Sequence, residues 1–385
     1  MQKSDQSSKI PCSQSASGQT TNTKPSNHLV VIPLTKPFFR STLSSYFRFL
    51  MDRRHLFTIL TLSDPLILGL IMNITILDNA TLAKTSLTGI EQLGKLTTYE
   101  LTSPEQVIEH CQGADVLITN KAVLNRDTIS KLTQLKLICV SATGTNNVDL
   151  EAAKEFGIAV TNVAGYSTPS VVQHTFSLIT NLLGNTHRYQ ADCQQGAWQK
   201  SEMFCILDYS FNDLQGKTFA IIGGGTLGKG VAKVAEAFGA NVIVAERKGV
   251  ECRDGRTPFE DVIKTADIIS VHCPLTDETR DLIALNELKM MKPSAIIINT
   301  ARGGIINESD LATALEQNLI AGAGVDVLTK EPAELSNPLA NYKGNNLLLT
   351  PHIAWASTES IVRLINEVSL NIAAFNKGES RNRLV

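Results

Sequence analysis

The chain has 385 residues, 43% of them hydrophobic and 19% charged, with a formal net charge of −2. That length allows two domains with separate cores, and the balanced charge offers no basic surface for nucleic acid or an anionic membrane. Seven cysteines with no CxxC pair and no metal-ligand spacing exclude a zinc or disulfide scaffold, and read as reduced core thiols of a cytoplasmic protein.

Residues 1 to 71 differ in character from the rest of the chain. They begin with a Ser/Thr/Gln/Asn-rich segment that cannot bury enough apolar surface to order itself. The apolar stretch after Arg53 and Arg54 is interrupted by Asp64-Pro65, lies far from the N-terminus and has no clear small-residue cleavage site, which argues against a signal or anchor. The expectation is a poorly ordered N-terminal extension, with the folded chain starting at Met72 in "MNITILDNATL".

From Met72, β-branched runs alternate with helical segments, the pattern of a parallel α/β sheet. Strands are expected at "NITIL", "LTTYEL", "DVLIT" and "LKLICVSA", and helices at "TGIEQLG", "PEQVIEHCQ" and "RDTISKLTQ". After the fourth strand, "VSATGTNNVDL" places Thr143 and Gly144 where backbone N–H groups can cradle a carboxylate. "TPSVVQHTFSLITNLLGNTHRYQADCQQGAW" then reads as one long connector helix, with Thr168 as cap and Pro169 at its first position.

A second alternation comes next, with strands "TFAIIG", "NVIVA", "DIISVHC", "AIIINT", "AGAGVDV" and "LLLT". The first of these runs into Gly223-x-Gly225-x-x-Gly228 and a helix leaves it. The glycines allow a tight turn, close approach of a pyrophosphate and close helix-on-strand packing, and the helix N-terminus supplies free N–H groups. Eighteen residues after Gly228, Glu246 ends the next strand, where a carboxylate accepts from a ribose 2′-OH. NAD is therefore the expected cofactor, while Arg247 and Lys248 keep NADP open.

Residues just beyond the strands of such a sheet face the ligand crevice. Three strand ends deliver Arg302, Asp326 with Glu331 five residues later, and His352 to that edge. The final helix, about 355 to 376, comes after the last strand, and its apolar residues can pack back on the first sheet. The expected fold class is α/β, two Rossmann-like doubly wound parallel-sheet domains: 72–170 with 353–385 for the substrate, discontinuous in sequence, and 171–352 for the dinucleotide.

The motifs "GGGTLG", "VHCPLTDETR", "IINTARGGIINESDL", "AGAGVDVLTKEP" and "TPHIAW" resemble those of the D-isomer-specific 2-hydroxyacid dehydrogenases over nearly all of 72–380. "GYSTPSVVQHTFSLI" and "PHIAWAS" are most similar to the glycerate dehydrogenases, or hydroxypyruvate reductases. The resemblance implies that Arg302 binds the substrate carboxylate and that His352 is the general acid in keto-acid reduction and the base in reverse. Glu331 would hold the histidine tautomer. It implies further cofactor contacts at Thr226, Leu227, Pro274, Thr300 and Ala301, and a contact of Asp326 with the nicotinamide amide. Asn120 and Lys121, at the tip of "ITNKAVL", would line the substrate loop with Thr143 and Gly144. A homodimer without metal is the implied assembly. The substrate alternatives are lactate, phosphoglycerate and glyoxylate, and a non-enzymatic dinucleotide sensor like the corepressors of this fold is the alternative of another class.

Overall fold

Residues 72–385 are described in a computed structural model of the chain; the expected N-terminal extension, 1 to 71, lies outside the described residues. The first run of strands comprises β1 (Asn73–Ile76), β2 (Lys95–Thr98), β3 (Val116–Thr119), β4 (Leu137–Val140) and β5 (Ala159–Thr161). They form one sheet in the order β2-β1-β3-β4-β5, with every pairing parallel. β5 is absent from the strands expected from sequence; at three residues, "AVT", it is too short for a periodic pattern to register.

The second run comprises β6 (Thr218–Ile222), β7 (Asn241–Val244), β8 (Ile268–Val271), β9 (Ile296–Asn299), β10 (Gly322–Val325) and β11 (Leu347–Leu349). It forms a second parallel sheet in the order β11-β10-β9-β8-β6-β7. Buried on both faces, its central strands are near-continuous apolar runs rather than alternating ones. Strand order reverses between β6 and β8, and the crevice at such a switch point is where this architecture binds ligands.

The connector is two helices, not one. Thr168–Gly184 ends where Asn185 turns left-handed, at φ 49°, and Thr186–Gln194 starts anew. Asn181 stabilises the break: its backbone oxygen accepts from Asn185 and its side-chain oxygen from the His187 backbone N–H at 2.9 Å. Asparagine tolerates this backbone region better than other non-glycine residues, so "LGN" is a helix stop. Thr168 is the first helical residue, with Ser167 in the cap position. The upper part of this helix packs on β9 and β10 through Leu178, Ile179 and Leu182.

The closing helix, Thr358–Asn376, is capped by Ser357, whose hydroxyl accepts from the Ser360 N–H at 3.1 Å. Its buried stripe, Ile361, Leu364, Ile365, Val368 and Ile372, at helical spacing, packs against Ile74, Ile76, Val116 and Ile118 of the first sheet. The chain therefore finishes the second sheet and then returns to the first, because the first sheet has an apolar face that this helix covers. Among the described cysteines, Cys111 and Cys139 are buried as expected, but Cys193 and Cys252 are exposed and are not core thiols.

Candidate active site at the carboxyl edge of the second sheet

Between β6 and the helix Thr226–Ala237 the glycine turn takes the shape expected of it. Gly223 has φ 104°, and a Cβ on it would stand 2.5 Å from the backbone of His272 and Cys273, just beyond β8. A Cβ on Gly228 would stand 2.1 Å from the Gly223 carbonyl oxygen. Gly225 faces open space, and no side chain caps the helix, so its first N–H groups remain free around Thr226 and Leu227. Free donors, open space and the positive end of a twelve-residue helix fit the pyrophosphate of a dinucleotide.

At the far edge of the same sheet, the pair inferred from sequence is formed. His352 Nδ1 lies 2.6 Å from Glu331 Oε2, and Glu331 Oε1 accepts from the Leu328 N–H at 2.9 Å. A carboxylate only accepts, so Nδ1 carries the proton and Nε2 is left as the atom that exchanges one. Burial alone pushes the Glu331 carboxyl up. The hydrogen bonds from His352 and Leu328, with the charges of His352 and Lys121, outweigh it and hold the group below the usual carboxylate range.

His352 itself sits at φ 55°, a left-handed conformation that costs a non-glycine residue roughly 1–2 kcal/mol. Asp326 holds it there. The Asp326 carbonyl accepts from the His352 N–H at 2.8 Å; its carboxylate accepts from Ile353 N at 3.0 Å and Ala354 N at 2.9 Å, and from the Thr350 hydroxyl at 2.5 Å. His174 of the connector helix closes the cluster, its Nε2 3.0 Å from Thr350 Oγ1 and 3.4 Å from Asp326 Oδ1. The Asp326 side chain is 0% exposed and braces the His352 loop.

Arg302 projects from the turn after β9. Its Nη1 donates to the Ala301 carbonyl at 2.7 Å, and the Asn299 side chain braces the turn from Ala301 N and the Arg302 carbonyl. Nη2 reaches the loop at 143–146 of the first sheet: a Cβ on Gly144 would lie 2.8 Å from it. The guanidinium and the expected carboxylate cradle are thereby brought together, with the Thr143 hydroxyl tied back to the Val163 carbonyl at 3.0 Å. Asn120 and Lys121 sit on the other expected loop. Asn120 is buried, and exposed Lys121 acts on Glu331 through its charge.

A residue not among those expected from sequence holds that loop. Asp78, buried at the end of β1, accepts from the N–H groups of Asn120, Lys121 and Ala122 at 2.9, 2.6 and 3.1 Å. The acid in "ILDN", directly after an apolar strand, was the available signal. Of the remaining expected cofactor residues, Thr300 is buried with its hydroxyl 3.0 Å from Thr175, Ala301 is buried, and Pro274 is exposed with its carbonyl accepting from Thr279. Trp355 meets Tyr166 edge-on at 6.4 Å and packs on the core shared by the first sheet and the closing helix.

The carboxylates Asp326, Glu331, Asp115 and Asp267 all lie below their usual range despite burial, which alone would raise them. A carboxyl depressed in the folded state binds fewer protons than in the unfolded one, so its stabilisation is complete above the unfolded pKa and lost as pH falls through the folded value. The urea midpoint is expected to be flat above about pH 5.5 and to fall progressively below about pH 4.5. Asp326→Asn should flatten that acid limb; a midpoint independent of pH down to about pH 3 would contradict the assignment.

Comparison with known proteins gives a concordant result. The family model for "D-isomer specific 2-hydroxyacid dehydrogenase, NAD binding domain" matches residues 176–354. The chain is 42% identical over 285 residues to a glycerate dehydrogenase of Methylorubrum extorquens, covering 74% of this chain and 90% of that protein. It is 35% identical over 303 residues to a hydroxypyruvate reductase of Blautia hydrogenotrophica, covering 76% of this chain and 93% of that protein. A D-lactate dehydrogenase from Aquifex aeolicus, solved with NAD and lactic acid, superposes with a TM-score of 0.69 at 25% identity, covering 80% of this chain and 96% of the other.

Proposed function

The chain belongs to the D-isomer-specific 2-hydroxyacid dehydrogenases and is an NAD-dependent oxidoreductase; from that premise we propose that it interconverts hydroxypyruvate and D-glycerate, with His352 as the proton donor and acceptor. The observation that carries the catalytic assignment is the 2.6 Å His352–Glu331 pair, at the same sheet edge as Arg302 and the glycine turn. The names of the two relatives support the choice of substrate.

When bound, the nicotinamide supplies or accepts the hydride at the substrate's second carbon. The chain's own residues do the rest. As the keto oxygen gathers negative charge, His352 Nε2 delivers a proton to it, and Glu331 stabilises the imidazolium that precedes the transfer. Arg302 commits Nη1 to the Ala301 carbonyl, which fixes its plane, and offers its remaining N–H groups to the substrate carboxylate together with the 143–146 loop. Lys121, on the loop that Asp78 pins, adds positive charge on the substrate side.

The expected homodimer would pair through residues 198–211, where Trp198, Phe204, Leu207 and Phe211 expose apolar side chains that a second copy could cover. A cytoplasmic setting suits the free cysteines. No helix among the described residues is long and apolar enough to cross a membrane.

The test is a kinetic comparison of hydroxypyruvate, glyoxylate, pyruvate and phosphohydroxypyruvate with NADH. Hydroxypyruvate is expected to lead in kcat/KM by about tenfold or more, the net worth of one added hydrogen bond to its hydroxyl. Another acid in the lead would overturn the substrate assignment and leave the family standing.

A further inference from the structure

The loop at 143–146 is held from the far end of the chain. The Thr143 carbonyl accepts from Asn162 Nδ2 at 2.7 Å, and the Thr143 hydroxyl donates to the Val163 carbonyl. In a trans peptide the carbonyl and the next N–H point in opposite directions. Fixing the Thr143 carbonyl on Asn162 therefore turns the Gly144 N–H away from Asn162, and that N–H donates to no protein group among the described residues. Asn162 lies directly beyond β5, a three-residue strand at the edge of the first sheet, next only to β4. What holds the open side of β5 decides where this peptide stands.

Residues 381–385 hold it. The closing helix ends at Lys377, Gly378 turns the chain at φ 73°, and the segment runs back antiparallel beside β5. Arg383 bridges Thr161, the Leu384 N–H donates to the Val160 carbonyl at 2.8 Å, and the Asn162 N–H donates to the Asn382 carbonyl at 3.3 Å. Val385 packs on the core that contains Val140 and Val160.

Side chains extend the connection. Asn371 Nδ2 donates to the Asn162 carbonyl at 3.2 Å, and Asn382 Nδ2 donates to Asn371 Oδ1 at 2.9 Å. The direction is set by chemistry: a carbonyl only accepts, so Asn162 and Asn371 must each present an NH₂ group forward, which leaves Asn371 Oδ1 facing back for Asn382. Asn371 is 1% exposed in the buried face of the closing helix, a place where an amide is costly unless both its ends are used. The relay Asn382–Asn371–Asn162 uses both and ends on the Thr143 carbonyl.

We propose that residues 381–385, acting through Asn382, Asn371 and Asn162, are a strap that positions the Gly144 N–H for the substrate carboxylate. These asparagines are positioning residues, acting through the Thr143–Gly144 peptide. The proposal rests on the reading of 143–146 as the carboxylate cradle and goes beyond it in naming what sets the cradle's geometry.

Asn382→Gly in the full chain tests it. Asn382 sits at φ 49°, which glycine adopts without strain, so the variant keeps the backbone beside β5 and removes the amide that completes Asn371. With the keto acid of highest kcat/KM, KM is expected to rise about threefold to tenfold, the net worth of one hydrogen bond, while kcat and NADH affinity stay within about twofold of wild type. Asn162→Ala should raise KM by about tenfold or more, and Asn162→Gln, which keeps the donor, should recover part of that loss. Arg302→Ala, run beside them, reads the cradle itself. If it raises KM and the asparagine variants do not, whatever their urea midpoints, the strap only stabilises the fold and the proposal fails while the site reading stands. A matching loss of NADH affinity, or a fall in kcat at unchanged KM, would also overturn it. If Arg302→Ala leaves KM unchanged, the carboxylate binds elsewhere and both readings fall.

Discussion

His352→Ala is expected to lower kcat by roughly 10²- to 10⁴-fold, the usual worth of a positioned general acid, and to leave NADH affinity near that of the wild type. The asymmetry comes from placement. His352 stands beyond β11 with Nδ1 on Glu331, whereas the dinucleotide turn lies beyond β6, well along the sheet order β11-β10-β9-β8-β6-β7. Removing the imidazole takes away the proton and leaves the turn untouched. Arg302→Ala, assayed alongside, should act mainly on KM for the keto acid, because the guanidinium lies against the 143–146 loop and not on the histidine. Steady-state kinetics with an independent NADH titration separates the two, and near-wild-type turnover in His352→Ala would remove it from the mechanism.

Asp326→Ala should be more damaging to the molecule as a whole. The carboxylate collects Ile353 N, Ala354 N and the Thr350 hydroxyl, all in or next to the segment that holds His352 in its left-handed backbone. Its loss strands several buried donors at about 1–3 kcal/mol each, partly offset by no longer burying a charge, for a net loss of roughly 2–4 kcal/mol. With the restraint gone, His352 should relax toward ordinary backbone angles and leave Glu331, so kcat should also fall, by about tenfold or more, a misplacement effect. The urea midpoint reports the first effect, and kcat measured well below the unfolding transition reports the second. A stable protein with unchanged kcat would show that Asp326 does not position the histidine.

The parts of this site legible in sequence share one property: each is a local pattern with a local physical cause. A glycine turn between a strand and a helix, an arginine before two glycines and a histidine where an apolar strand stops are set by neighbours within a few residues. The sheet class is legible in the same way, since buried parallel strands must be apolar on both faces. β5 and the break at Asn185 escaped because three residues carry no period and one residue in a left-handed turn resembles any polar helix position.

What each acid does was decided only by folding. Asp78, Glu246 and Asp326 are three carboxylates at three strand ends, alike in sequence context. In the structure one gathers the N–H groups of the Asn120 loop, one is filled by Arg253, and one braces His352. Which donors meet a carboxylate depends on loops that come from 42 residues away for Asp78, 7 for Glu246 and 28 for Asp326. The sequence by itself determined where chemistry is delivered, because strand ends and turns are local. The tertiary structure decided which groups remain free to perform it, because hydrogen-bond saturation is a property of packed neighbours.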